Sequence, residues 1–244
     1  MMKPPRKIRD HFLRDIINRI NDLETSIRIL ANSPSYSHVD GAGFNGQSGR
    51  KKIFLDLLKK YNFSCLVETG TYLGDTAGYM SETSGLPVYS CELNKNLYSL
   101  AKMRLREFSS ISLYNLDSRE FLRNLSTRPE IVRQECFLYL DAHWGKDLPL
   151  REEIAIIATR WEKFVIMIDD FQVPDDDGYK HDRYGTLKYI DMSYLRSRYN
   201  LCAFFPSMPS KEEPAGATGC VILAKENEFA SPLKEISSII AYRF

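Results

Sequence analysis

The sequence predicts an α/β fold whose sheet is mostly parallel and carries helices on both faces. Short apolar runs alternate with amphipathic segments through most of the chain, as they do where parallel strands are joined by helices. The last two apolar runs are joined by the segment 206–218, which contains three prolines and shows no helical period. A hairpin at this point would make the last strand antiparallel.

Length and charge narrow the classes of protein to consider. The chain has 244 residues and a formal net charge of +1, which suits one α/β domain with extensions and gives no reason to expect nucleic acid as the main partner. No apolar run reaches the roughly 18 residues of a membrane span, and no signal-type apolar core follows the basic N-terminus. A cytoplasmic location is therefore expected. The five cysteines lie far apart in apolar runs and are interpreted as reduced core residues.

The first 49 residues are predicted to form a helix and a linker. Apolar residues repeat at intervals of 4-3-4-3 at Ile16, Ile20, Leu23, Ile27 and Leu30. This spacing predicts an amphipathic helix of roughly 25 residues, which either packs on its own domain or joins subunits into a homo-oligomer. Residues 32–49 are rich in Ser, Gly and Asn and are interpreted as a flexible linker. Residues 50–244 then form the main domain.

Within that domain the apolar runs are predicted strands and the amphipathic segments are predicted helices. The strands are expected at residues 65–67, 87–91, 111–114, 136–140, 164–168, 201–205 and 220–223. The helices are expected at residues 51–61, Leu97–Phe108, Arg119–Leu125 and Leu150–Trp161, and Ser231 and Pro232 predict the start of a short closing helix.

The first strand runs into a glycine turn with the pattern E-x-G-x-x-x-G-x-T, from Glu68 to Thr76. Gly70 and Gly74 allow unusual backbone dihedrals and close approach of a ligand, and the following helix offers unpaired N–H groups. The pattern is not the G-x-G-x-x-G of a dinucleotide fold. Glu68 would repel a pyrophosphate, whereas a ligand that carries an ammonium and a sulfonium would tolerate it.

Each of the first five strands is followed or closed by an acid. These acids are Glu68, Glu92, Asp117, Asp141 and the pair Asp169 and Asp170. In open α/β sheets ligands bind beyond the carboxyl ends of the strands. Glu92 lies 22 residues after Gly70, where an acid accepts hydrogen bonds from both ribose hydroxyls of an adenosine ligand. Asp117, which precedes Ser118, also suits a helix cap.

The glycine turn and the following acids resemble those of class I S-adenosylmethionine-dependent methyltransferases. The resemblance implies a Rossmann-like seven-stranded sheet with an antiparallel last strand. It also implies that Glu68 faces the methionine end of the donor and that Asp117 and Ser118 lie at the adenine edge. The donor-binding residues expected from it are Glu68, Gly70, Thr71, Tyr72, Gly74, Thr76, Glu92, Leu93, Asp117 and Ser118.

A second group of candidates comprises Asp141, His143, Asp169 and Asp170. Carboxylates from two neighbouring strand ends can converge, and oxygen ligands of this kind suit Mg²⁺ or Mn²⁺. From about Arg50 to Lys225 the chain resembles metal-dependent macrocin-type sugar O-methyltransferases, which implies that Asp141, Asp169 and Asp170 hold the metal. Many of those relatives carry an acid at the position of His143. The alternative is that these acids are only caps and ion-pair partners.

His143 and Asp141 are the candidate catalytic residues. An imidazole with an ordinary pKa near 6.5 can remove a proton from a hydroxyl at neutral pH. The alternatives for His143 are a role in metal binding and a purely structural role. Residues 171–185 follow the acid pair directly and are expected to form a lid over the acceptor, with Tyr179, His181 and Tyr184 stacking on it. Asp175 to Gly178 lack the spacing of a calcium loop and are interpreted as a solvated turn.

Together these features predict a metal-assisted, S-adenosylmethionine-dependent O-methyltransferase. Its acceptor is expected to be a hydroxyl of a small molecule, with a sugar favoured. There are three alternatives: a metal-independent methyltransferase, an NAD-dependent oxidoreductase or epimerase, and a non-catalytic nucleotide-binding scaffold. The missing G-x-G-x-x-G and the predicted hairpin count against the oxidoreductase, and the set of Asp141, His143, Asp169 and Asp170 counts against the scaffold.

Overall fold

A computed structural model gives the fold of this chain. It describes residues 43–143, 147–184, 188–193, 195, 199–214 and 216–242. The predicted N-terminal helix and residues 32–42 of the predicted linker lie outside the described residues. The remainder of that predicted linker begins with a turn at Gly43–Gly46 and enters a helix at Ser48. Phe44 in this turn is fully buried, so the described end of the segment packs on the domain.

The described residues form six α-helices. These are α1 (Ser48–Lys60), α2 (Asp75–Ser84), α3 (Lys95–Arg104), α4 (Ser118–Leu125), α5 (Pro129–Val132) and α6 (Leu150–Arg160). The strands are β1 (Cys65–Thr69), β2 (Val88–Cys91), β3 (Ile111–Tyr114), β4 (Glu135–Leu140), β5 (Lys163–Ile168), β6 (Arg183–Tyr184), β7 (Lys188–Tyr189), β8 (Leu201–Pro206), β9 (Val221–Lys225) and β10 (Ile239–Ala241).

Eight of the strands form one sheet in the order β10-β8-β9-β5-β4-β1-β2-β3. β1 to β5 are mutually parallel, and β9 runs antiparallel to both β5 and β8. The predicted α/β fold and the late antiparallel hairpin are therefore confirmed. The sheet has one strand more than the seven expected, because β10 adds to its edge beside β8. The short closing helix expected at Ser231 and Pro232 is a 3-10 helix, Glu228–Glu235, and it leads into β10.

Helices cover both faces of the sheet, as the alternating residues of β4 demonstrate. The ring centroids of Phe137 and Phe54 of α1 lie 5.2 Å apart. Leu138 points to the opposite face, where it joins a buried cluster that includes Phe121 of α4 and Ile154 of α6. With both faces buried, the parallel strands need no polar side, and all five residues of β1 are buried.

The parallel strands end at one edge of the sheet, here called the carboxyl rim, which comprises the residues that close or follow β1 to β5. Asn94 caps α3 at this rim by accepting hydrogen bonds from the N–H groups of Asn96 and Leu97. No helix among the described residues has both the length and the apolar character that a membrane crossing requires.

Candidate functional site

The glycine turn after β1 depends on glycine at both predicted positions. Gly70 and Gly74 have φ angles of +87° and +84°, a left-handed conformation that favours glycine. A Cβ at residue 70 would lie 2.4 Å from the carbonyl oxygen of Asp141, and one at residue 74 would lie 2.5 Å from Cδ1 of Leu105. Each glycine therefore makes room for another part of the chain itself.

A cavity of about 450 Å³ opens beside this turn. Six of the ten expected donor-binding residues line it: Gly70, Tyr72, Glu92, Leu93, Asp117 and Ser118. The other four, Glu68, Thr71, Gly74 and Thr76, are not among its lining residues. Ala142 and Pro149 complete the wall on the side of β4. A volume of this size accommodates a small-molecule ligand or cofactor.

Glu92 is held by the backbone on two sides. Its Oε2 accepts a hydrogen bond from the N–H of Tyr72 at 2.9 Å, and its Oε1 accepts one from the N–H of Asn94 at 2.8 Å. Burial raises the pKa of Glu92, and these hydrogen bonds act in the opposite direction. A carboxylate has about four lone-pair sites, so these two hydrogen bonds do not exhaust the acceptor capacity of Glu92, which lines the cavity.

Glu68 lies behind the cavity wall at the end of a row of hydroxyls. Ser90 donates a hydrogen bond to its Oε2, and the hydroxyl oxygens of Ser90 and Thr71 lie 2.5 Å apart. Burial raises the pKa of Glu68 to about 8, although the hydrogen bond from Ser90 opposes that shift. Without a cationic partner the carboxyl group is therefore mostly protonated at neutral pH.

Asp117 both lines the cavity and caps α4, so the cap anticipated in the sequence is present. Its Oδ1 accepts from the N–H of Arg119 at 2.9 Å, and its Oδ2 lies 2.7 Å from Nη2 of Arg119. The hydrogen bond from the Arg119 side chain lowers the pKa of Asp117. Thr76, by contrast, accepts a hydrogen bond from the N–H of Phe44 at 3.0 Å. Its hydroxyl therefore contacts the turn that precedes α1.

A second group of side chains meets at the ends of β4 and β5. Asp141, His143 and Asp170 each offer a ligand atom, and these atoms lie within 4.8 Å of one another. His143 is only 1% exposed, and neither of its ring nitrogens makes a well-formed hydrogen bond with a described residue. The same holds for Oδ1 of Asp141. Buried polar atoms without partners are rare in proteins, and here three come from two neighbouring residues of the rim.

The protonation states of this group follow from its burial. Burial, reinforced by the charges of Asp169 and Asp170, raises the pKa of Asp141 well above its usual value. Burial and the charge of Asp169 raise the pKa of Asp170 to about 7. Burial also lowers the pKa of His143, so its imidazole is neutral at pH 7 and able to accept a proton. A divalent cation between the acids would favour their ionised forms.

Asp169 has a different environment from the other predicted metal ligands. Its Oδ2 accepts hydrogen bonds from Nη1 of Arg50 at 2.6 Å, from Nδ2 of Asn45 at 2.9 Å and from the hydroxyl of Tyr139. Its Oδ1 forms an ion pair with Nη2 of Arg50. The structure thus separates Asp169 from the group of Asp141, His143 and Asp170, although the sequence suggested that the three acids act together.

Two buried charged residues near the rim were missed in the sequence analysis, and both carry the same signal. Arg50 lies in the buried stripe of α1 with Ile53, Phe54 and Leu57. Glu153 likewise lies within the buried stripe of α6, and it is fully buried near the hydroxyls of Ser118 and Thr69. A charged residue at an apolar position of an amphipathic helix is the pattern that identifies both.

The lid residues are only partly where the sequence placed them. Tyr179 is 4% exposed and its hydroxyl donates to the carbonyl of Met208 at 2.8 Å, so most of its side chain packs in the core and its hydroxyl already has a partner. His181 lines a second cavity of about 540 Å³, together with Gln172, Val173, Asp176, Asp177, Tyr179 and Asp191. The side chain of Tyr184 lies outside the described part of the structure.

Comparison with known proteins gives structural but not sequence relatives. No protein-family model matches the sequence, and no curated protein sequence matches it significantly. Among solved structures, an O-methyltransferase from Bacillus cereus in complex with S-adenosylhomocysteine is 14% identical with a TM-score of 0.52, over 84% of this chain and 91% of that one.

Two further solved structures are similar to a comparable degree. The O-methyltransferase TomG from Streptomyces achromogenes, in complex with S-adenosylmethionine, is 15% identical with a TM-score of 0.51, over 73% of this chain and 80% of that one. An S-adenosylhomocysteine-bound methyltransferase from Podospora anserina is 11% identical with a TM-score of 0.52, over 93% and 99% of the two chains. The chain therefore has the Rossmann-like fold found in class I S-adenosylmethionine-dependent O-methyltransferases.

Proposed function

We propose that this protein is an S-adenosylmethionine-dependent O-methyltransferase that acts, with the help of a divalent cation, on a hydroxyl of a small molecule. One observation carries the proposal: Ala142 lines the cavity beside the glycine turn, and its neighbours in the chain are Asp141 and His143. The cavity wall is therefore continuous in the chain with two residues whose side chains carry buried atoms without a hydrogen-bond partner among the described residues. Methyl transfer requires this adjacency of a donor site and a proton-accepting site.

On the donor side, each expected contact has a chemical reason. Glu92 accepts hydrogen bonds from the two ribose hydroxyls, because it lines the cavity and its two backbone hydrogen bonds do not exhaust the lone pairs of a carboxylate. Asp117 and Ser118 bound the cavity where the adenine edge is expected. A nearby ammonium or sulfonium would favour the ionised form of Glu68, which would then provide negative charge behind the glycine turn. A pyrophosphate would gain nothing from that carboxyl group.

On the acceptor side, the residues present fit a divalent cation. Asp141 and Asp170 supply hard oxygen atoms, and Oδ1 of Asp141 has no other described partner. A bound Mg²⁺ or Mn²⁺ would supply Lewis-acid polarisation of the acceptor hydroxyl. His143 then takes the hydroxyl proton on its neutral imidazole, and the buried surroundings exclude water from the reacting oxygen.

A polyhydroxylated acceptor such as a sugar suits the polar surroundings of this rim. The second cavity lies on the segment that follows Asp170, and its lining includes a glutamine, a histidine and three aspartates. The backbone N–H of Asp182 donates to the carbonyl of Asp170 at 3.0 Å, which ties this segment to the proposed cation ligand. Side chains of this kind recognise hydroxyl groups by hydrogen bonding.

The donor is tested first on the protein as purified. A mass spectrum of the native protein is expected to contain S-adenosylmethionine or S-adenosylhomocysteine, and calorimetry should show tighter binding of S-adenosylmethionine than of NADH. Tighter binding of NADH would replace the methyltransferase with the oxidoreductase alternative.

The cation is tested by methyl transfer from a donor labelled in its methyl group to a panel of sugars. Excess chelator should abolish transfer while donor binding persists, and Mg²⁺ or Mn²⁺ should restore it. Full transfer in excess chelator would remove the cation from the proposal.

A further inference from the structure

Asp169 and Asp170 are neighbours in sequence, yet their carboxyl groups have different partners. Asp170 has a φ of +50°, a left-handed conformation that is uncommon for residues other than glycine but tolerated by aspartate. The N–H of Asp170 donates to Oδ1 of Asp169 at 2.5 Å, and its carbonyl accepts from the N–H of Asp182. The reversed backbone at Asp170 lets one acid point into the protein while the next remains at the rim with Asp141 and His143.

The carboxyl group of Asp169 has no acceptor capacity left. Five donor groups surround it, namely the two terminal nitrogens of Arg50, the amide of Asn45, the hydroxyl of Tyr139 and the N–H of Asp170. A carboxylate offers about four lone-pair sites. A cation could bind Asp169 only after several of these hydrogen bonds broke.

Arg50 cannot readily give up this partner. It is 2% exposed, and Nη2 also donates to the carbonyls of Thr218 at 2.9 Å and Gly219 at 3.1 Å. Burial lowers the pKa of Arg50, but the neighbouring groups, of which Asp169 contributes most, together raise it above its usual value. If Asp169 moved to a cation, the remaining hydrogen-bond partners of the buried guanidinium among the described residues would all be uncharged, namely two carbonyls and the hydroxyl of Thr218, which is strongly unfavourable.

The net charge that a cation would meet at the carboxyl rim follows from this ion pair. Arg50 and Asp169 form a buried ion pair whose charges cancel. Asp141 and Asp170 remain as the two carboxyl groups whose formal charge, once ionised, matches one divalent cation. Mg²⁺ commonly binds proteins through one or two carboxylates and fills its other positions with water and substrate oxygens.

We infer that Asp169 is not a cation ligand but the fixed counter-ion of Arg50, and that Asp141 and Asp170 are the carboxylates that bind the cation. This inference rests on the proposed function, because it assigns ligands to the cation invoked there. It separates two adjacent acids that the sequence presents as equivalent.

The test compares Mn²⁺ affinity, followed by electron paramagnetic resonance, in the full-length protein and three variants. Asp170→Asn should weaken Mn²⁺ binding by about 30-fold or more, whereas Asp169→Asn should leave it within about three-fold of the wild type. Because Asp169→Asn strips Arg50 of its counter-ion, the matched variant replaces both partners, Arg50→Met with Asp169→Leu. Apolar replacement of a whole buried ion pair is often tolerated, so this double variant should keep the wild-type Mn²⁺ affinity.

The outcomes separate this inference from the proposed function. The wild type could bind Mn²⁺ while the Asp169 and Asp170 variants lose this binding equally. That result would overturn the ligand assignment and leave the methyltransferase proposal intact. No Mn²⁺ binding by the wild type would overturn both the cation and the assignment. If the Asp169 variants fail to fold, a crystal structure of the wild type with Mn²⁺ decides, since Asp169 in the inner coordination sphere would contradict the inference.

Discussion

The backbone N–H of Tyr72 lies 2.9 Å from Oε2 of Glu92 and donates a hydrogen bond to it. This contact joins the glycine turn after β1 to the acid that closes β2. Tyr72 itself has a φ of +49°, so the carboxyl group holds a residue in the left-handed conformation. One side chain thus shapes the turn and presents acceptor oxygens to the cavity.

Replacing Glu92 should therefore weaken donor binding. In Glu92→Ala the loss of a charge-assisted pair of hydrogen bonds to the ribose should cost about 2 kcal/mol or more, roughly a 30-fold rise in the dissociation constant. Isothermal titration calorimetry with S-adenosylmethionine measures it, and Glu120→Ala, at an exposed position of α4, is the control. Unchanged affinity in Glu92→Ala would remove this residue from the ribose site.

Replacing His143 should lower the rate of turnover without changing the affinity for the donor. With the proposed base removed, His143→Ala should lower the rate of methyl transfer by roughly 100-fold and leave the affinities for donor and Mn²⁺ unchanged. In the wild type the rate should fall as the pH drops through a value below 6.5, because burial lowers the pKa of His143 and only the neutral ring accepts a proton. A loss of Mn²⁺ affinity in His143→Ala would identify the imidazole as a ligand and not the base.

Ionisation of the buried carboxyl group of Glu153 should make the protein less stable as the pH rises. Burial raises its pKa from 4.5 to about 7, so between these values the native state keeps a proton that the unfolded chain has lost. Rising pH then lowers the free energy of unfolding, by about 3 kcal/mol in total. Urea unfolding measures the free energy of unfolding at pH 5 and pH 8. This free energy should fall by a smaller amount in Glu153→Gln than in the wild type, because the variant has no carboxyl group at residue 153.

The control for Glu153 is Glu120→Gln, which removes an exposed carboxyl group from a neighbouring helix. It should retain the pH dependence of the wild type, to which other buried acids such as Glu68 also contribute. The same pH dependence in Glu153→Gln and the wild type would mean that Glu153 titrates normally in the folded protein.

The predicted N-terminal helix remains to be tested by truncation. If the apolar stripe from Ile16 to Leu30 joins subunits, a protein that lacks residues 1–32 should be a monomer by light scattering, whereas the full-length protein should be an oligomer. The same oligomeric state in both proteins would mean that this helix makes no subunit contact.

The sequence predicts those parts of the structure that depend on local pattern. The buried strand β1 and the positive φ of Gly70 follow from residues next to each other in the chain. The position of Glu92 at the cavity follows from one rule, that parallel strands end at the same edge of the sheet. Contacts of this kind need no knowledge of how distant segments pack.

The environment of Asp169 could not be derived in the same way. Its main partner, Arg50, lies 119 residues earlier, and the two meet only because α1 packs across the face that carries Tyr139. Six acids at one rim look alike in sequence, and their roles diverge through neighbours contributed by other elements. β10 was missed for a related reason, since a strand of three residues at an edge has little pattern of its own.

The contact between Gly70 and the carbonyl of Asp141 has a consequence for how such a protein could change its acceptor. A Cβ at residue 70 would lie 2.4 Å from that carbonyl oxygen, so the backbone of the glycine turn lies directly against the backbone of the acid proposed for the acceptor site. Under the proposed function, substitutions on the acceptor side could alter which molecule fits without altering how far its hydroxyl lies from the donor. Acceptor choice and reaction geometry are then properties of separate parts of the chain, and the first can drift while the second stays fixed.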